Sequence, residues 1–203
     1  PGVFVMIELN KKHYEYEGSI PDYFEKVVLE ENNLEPPGKK SLGDAYLDEK
    51  TAIDVKTINI NGNFHMGNLA SQDKIRKWLE DKQNSLMFFF IEYEEDCGFV
   101  AINSTKLKHI EEIHPDCLQI SAQGLGVMQL KNWDKVKFVP KINRDEWFKN
   151  VYTPLLKEFI DKEVGLVLKT SYRKNCIMDR VFLQSKLKSF LAKYPERKCK
   201  VYL

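Results

Sequence analysis

The run Leu86-Met87-Phe88-Phe89-Phe90-Ile91 is continuously apolar, without the polar alternation of a strand that faces water on one side. Such a strand must be covered on both faces, so the chain is expected to place helices on either side of a sheet, an α/β arrangement. With 203 residues and 43% hydrophobic content there is enough material for a full core, and the length fits one domain spanning 1–203 better than two.

Other elements follow from local patterning. Val3 to Leu9 reads as an opening strand. Ser19 and Pro21 signal the start of a helix over about residues 21–33, with Phe24, Val27 and Val28 on one face. Pro36-Pro37-Gly38 ends that segment. Leu69 to Lys82 is expected to be helical, because Ile75, Trp78 and Leu79 are apolar at helical spacing. Cys97 to Ile102 reads as the hairpin partner of the apolar strand. Two long helices are expected near 143–162, broken at Pro154, and near 176–193, where Leu183, Leu187, Phe190 and Leu191 form an apolar stripe.

The chemistry is concentrated between Gly43 and Ile60. Thr51 to Ile60 is rich in Thr, Ile and Val, which favours an extended strand whose alternate side chains share a face, so Asp54 and Lys56 point the same way. Asp44-Ala45-Tyr46-Leu47 reaches this strand through Asp48-Glu49-Lys50, read as a three-residue hairpin loop that pairs Leu47 with Thr51 and sets Asp44 opposite Asp54. Two carboxylates about 5 Å apart destabilise a sheet unless a cation neutralises them. Mg²⁺ favours one or two carboxylates together with waters and a phosphate.

Gly43-Asp44 followed by Asp54-Val55-Lys56 resembles the PD-(D/E)xK nuclease superfamily, in particular its blunt-cutting type II restriction endonucleases. Gly43 stands where the family's name has Pro. Phe24-Glu25-Lys26 and Arg144-Asp145-Glu146-Trp147 are weaker echoes. The resemblance implies a restriction-endonuclease-like fold with a central mixed sheet flanked by helices. It implies that Asp44, Asp54 and the backbone carbonyl of Val55 bind Mg²⁺, for which Mn²⁺ can substitute. Lys56 would orient the attacking water, and Glu25 would be an accessory acidic residue on the first helix. The implied reaction is hydrolysis of both strands of double-stranded DNA at a short palindromic site, by a homodimer with one active site per subunit.

Base reading is expected from Asn61, Asn63, His65 and Asn68 in the segment after the motif strand, and from Gln123 in a glycine-bounded loop. The net charge of +1 conceals an asymmetry: residues 1–130 hold 13 Lys+Arg against 22 Asp+Glu, net −9, and residues 131–203 hold 18 against 8, net +10. The basic, helical C-terminal part is thus expected to face phosphate. Cys97, Cys117, Cys176 and Cys199 form no C-x-x-C pair, so free thiols are expected instead of a zinc cluster or redox dithiol. No membrane-length apolar stretch and no signal-peptide pattern is present, which leads to the expectation of a cytoplasmic protein without organic cofactor or membrane partner. A repair nuclease or junction resolvase on the same fold, and a non-catalytic DNA-binding protein, remain alternative readings.

Overall fold

A computed structural model describes residues 13–15, 18–34, 36–38, 41–62, 67–97, 99–121, 126–131 and 136–173. The expected strand at Val3–Leu9 and helix near 176–193 lie outside these residues, as do residues 132–135 and 174–203 of the basic C-terminal part. The chain divides into two compact units, residues 1–155 and 156–203. The described strands are β1 (His13–Glu15), β2 (Ala45–Asp48), β3 (Thr51–Asn59), β4 (Gly67–Ser71), β5 (Ser85–Asp96), β6 (Phe99–His109), β7 (Leu118–Ser121) and β8 (Val127–Leu130), and the described α-helices are α1 (Ile20–Glu31), α2 (Gln72–Glu80), α3 (Arg144–Trp147) and α4 (Thr153–Arg173), the last running from the first unit into the second.

Five strands form a mixed sheet in the order β1-β6-β5-β3-β2, and three more form an antiparallel sheet in the order β4-β8-β7. β3 and β5 are parallel, from Thr51 beside Ser85 to Asn59 beside Tyr93. Parallel neighbours need a crossover, and β4 and α2 lie within it. In β5, Leu86 and Phe88 to Ile91 are all buried, as the unbroken apolar run requires. The mixed α/β architecture expected from the sequence is therefore the observed one.

On one face of the large sheet, Ile53 and Val55 of β3 and Phe89, Ile91 and Tyr93 of β5 form a core with Ile20, Phe24, Val27 and Val28 of α1. The alternation of a strand then sends Asp54 and Lys56 to the opposite face, which also carries Phe88 and Phe90. α1 starts where Ser19 accepts a hydrogen bond at Oγ from the Asp22 amide, with Pro21 in its first turn. Ser19→Ala leaves that amide without its cap and is expected to lower stability by about 1 kcal/mol. In a chain of this size that is a fall of roughly 2–4 °C in Tm, readable by calorimetry.

Three expectations are corrected. The segment from Leu69 to Ser71 is not helical but belongs to β4, which pairs with β8 in the second sheet, so helix α2 begins only at Gln72. Helical spacing after Ser71 holds, with Ile75 and Leu79 buried, but strand pairing prevails over the local preference of Leu69 and Ala70. The β2–β3 hairpin turns through Glu49 and Lys50 alone: Asp48 pairs with Thr51, and a register shift between Tyr46 and Asp48 absorbs the difference. The break in the late helix precedes Pro154 as a π turn, Phe148–Tyr152. Pro154 has no N–H to continue the α ladder, so the preceding turn widens.

Candidate active site at the open edge of β3

β2 pairs with β3 only between Thr51 and Ile53, so residues 54–59 of β3 have no strand beside them on that side among the described residues. Asp44 stands immediately before the first residue of β2. Its N–H donates to the Ile53 carbonyl (2.8 Å), and its Oδ2 accepts from the Val55 N–H (2.8 Å). A side chain thus takes the hydrogen bond that a further β2 residue would have made. Despite the bulge in the turn, the pairs Ala45–Ile53 and Tyr46–Ala52 keep the expected register at this end, and continuing it one residue sets Asp44 level with Asp54.

Gly43 makes this geometry possible. A Cβ built there would lie 2.3 Å from the Ile53 carbonyl oxygen and 2.8 Å from its carbon. The residue before Asp44 is packed directly on the β3 backbone, which leaves room only for glycine. The sequence marks Gly43 merely as a departure from the motif and does not reveal this contact.

Asp54 is buried, 5% exposed, and accepts at Oδ1 from Lys56 Nζ at 2.5 Å. Burial pushes the Asp54 carboxyl well above the usual carboxylate range. The Lys56 ammonium opposes that rise, while a hydrogen bond with Asp44 and the Asp44 charge add to it. Glu25, on α1, belongs to the same electrostatic cluster. Burial raises its pKa, Asp44 raises it further, Lys56 lowers it and Asp22 raises it. Asp44, Asp54 and Lys56 thus meet at one place on β3, and Glu25 of α1 feels the charges of Asp44 and Lys56.

Among the described residues, no group of three or more His, Cys, Asp or Glu side chains is arranged to hold a metal ion. The donor set here is smaller. It comprises the two carboxylates of Asp44 and Asp54, close enough for Asp44 to push the Asp54 pKa up, and the Val55 carbonyl. In an extended strand a residue's N–H and C=O point to the same side, so the bond from Val55 N–H to Asp44 aims the Val55 carbonyl at the same open edge. Hard oxygen donors, two of them carboxylates that repel when both are ionised, fit a small divalent cation.

Beyond Lys56 on the same sheet face, Ile58, Ile60, Phe90, Glu92, Lys106 and Phe138 line a cavity of about 120 Å³. Burial raises the Glu92 pKa, but hydrogen bonds from Ser104 and Lys106 outweigh it and hold Glu92 below its ordinary value.

The base-reading candidates are scattered. Asn61 is exposed just past β3, where its N–H donates to Asn59 Oδ1 (3.0 Å). Asn68 lies on β4 and accepts from Gln129. Asn63, His65 and Gln123 fall outside the described residues. Neither Cys97, which is exposed, nor Cys117, which is buried, forms a disulfide among the described residues; Cys176 and Cys199 fall outside. No helix among the described residues is long and apolar enough to cross a membrane. No family model matches the chain, and no curated protein matches its sequence.

Proposed function

We propose that the protein is a Mg²⁺-dependent nuclease of the PD-(D/E)xK kind, acting as a homodimeric type II restriction endonuclease on both strands of a short palindromic DNA site. The observation that carries this reading is the junction of Asp44, Asp54 and Lys56 at the edge of β3, whose charges also act on Glu25 of α1. A buried carboxylate whose pKa is raised by burial and by a second carboxylate is costly for folding, and such arrangements are concentrated where chemistry needs them.

Asp44, Asp54 and the Val55 carbonyl would hold the cation, with Glu25 as an outer acidic group. When bound, Mg²⁺ stabilises charge at the phosphorus and makes its coordinated water more acidic. The remaining roles fall to the chain's own groups. Lys56, fixed by Asp54, presents an ammonium where a phosphodiester gains negative charge during attack, and it orients the incoming water by hydrogen bonding. The strand rigidity of β3, flanked by β5 along its full length, holds these groups in place.

The test is incubation of the purified protein with unmethylated phage DNA, with Mg²⁺, with Mn²⁺ and with EDTA, followed by gel analysis and end sequencing. A fixed set of fragments only with divalent metal is the expected result. Cleavage confined to branched DNA would move the assignment to a junction resolvase, and intact DNA with every metal would leave a non-catalytic DNA-binding protein.

A further inference from the structure

The small sheet has two sharply different faces. Leu118 and Ile120 of β7 and Met128 and Leu130 of β8 are buried, and the residues between them, Gln119 and Gln129, point the other way. Gln129 pairs across the strands with Gln119 on one side and with Asn68 on the other. Their side chains join into one row: Gln119 Nε2 donates to Gln129 Oε1 (3.0 Å), and Gln129 Nε2 donates to Asn68 Oδ1 (2.7 Å). In a chain with 30% charged residues, this outward row carries none.

We infer that the Asn68-Gln129-Gln119 row reads an adenine edge in the major groove of double-stranded DNA, an inference that rests on the nuclease reading. A primary amide has two N–H donors and an oxygen with two lone pairs. Gln129 commits one donor to Asn68 and one lone pair to Gln119, which keeps one donor and one lone pair for a ligand. That remaining pair matches the N7 acceptor and N6 amino donor of adenine, the pairing for which Gln and Asn are suited. Anchoring on both sides fixes the amide plane in advance, so little side-chain freedom is lost on binding. A sheet can enter the major groove, and strands about 4.8 Å apart space the three amides across it. β4, which carries Asn68, begins eight positions after β3 ends.

Selection from a random duplex DNA pool, with Ca²⁺ replacing Mg²⁺ to prevent cleavage, tests the inference on wild type, Gln129→Ala and Asn68→Ala. Wild type is expected to enrich sites with adenine at a fixed position. Gln129→Ala should lose about 5- to 150-fold in discrimination at that position alone, the range for one bidentate base contact. Replacing that adenine with 7-deazaadenine should weaken wild type and leave Gln129→Ala unchanged. Unaltered selectivity in both variants, with wild type still enriching a defined site, would overturn the row as a reader and leave the nuclease reading intact. Failure of wild type to bind or cleave any DNA would remove both.

Discussion

Asp54→Asn and Lys56→Ala are expected to abolish metal-dependent cleavage, by roughly 10³-fold or more, while shifting stability in opposite directions. Asp54 is buried, and its carboxyl is pushed up by burial and by Asp44, with Lys56 as its opposing cation. Asn keeps the shape and an acceptor for Lys56 but removes the ionisation. It should stabilise the metal-free protein at neutral pH by on the order of 1–3 kcal/mol, the range for relieving an unfavourable buried polar group. In a chain of this size each kcal/mol is about 2–4 °C of Tm. Lys56→Ala instead strands the buried carboxylate and should lower Tm.

The pH dependence has a definite sign. A folded-state pKa above the unfolded one means that the folded chain binds more protons between the two values, so stability falls as pH rises through that window. Thermal melts of wild type in EDTA should therefore decline from the ordinary Asp range upward, and Asp54→Asn should flatten the decline. Mg²⁺ should raise the wild-type Tm more at higher pH, because the cation competes with the proton for the same oxygens. A Tm of Asp54→Asn at or below wild type in EDTA at neutral pH would contradict this account.

Gly43→Ala is expected to damage both folding and chemistry although it adds one methyl group. The new carbon would meet the Ile53 backbone at 2.3 Å, and backbone paired within a sheet cannot rotate aside like the end of a flexible side chain. Overpacking of this kind costs about 1–3 kcal/mol. Relief must come from moving the segment that carries Asp44, whose bonds to the Ile53 carbonyl and the Val55 N–H hold it on β3. A displacement of about 1 Å at a reacting group can cost 10²-fold in rate. Cleavage assays and melting curves of Gly43→Ala should thus show an activity loss much larger than the loss of folded protein. Wild-type activity in this variant would mean that Asp44 is not held in place for catalysis.

Local pattern carried much of this architecture. The unbroken Leu86–Ile91 run required a strand covered on both sides, and Ser19-Ile20-Pro21 marked where α1 begins. The register joining Asp44 to Asp54 could be counted along the hairpin, even though its turn is one residue shorter than expected, because the bulge beside Asp48 restores the count. What sequence could not show was three-dimensional. Leu69 is drawn into β4 by β8, some sixty positions away. The Gln119–Gln129–Asn68 row exists only because three separate strands align. The role of Gly43 depends on a backbone contact across the hairpin, which no spacing rule encodes.

The short length of β2 has a consequence for how these molecules behave in a crowded solution. A strand edge with unoccupied amides and carbonyls is a template on which another chain can add itself, and proteins guard such edges with charge. Along β3 beyond Ile53, where no strand is paired on that side among the described residues, that guard is formed by Asp44, Asp54 and Lys56, the groups assigned to the chemistry. Neutralising Asp54 would steady the single molecule while making this margin more receptive to a stray strand, so tolerance to heat and resistance to aggregation are set against each other at one carboxylate.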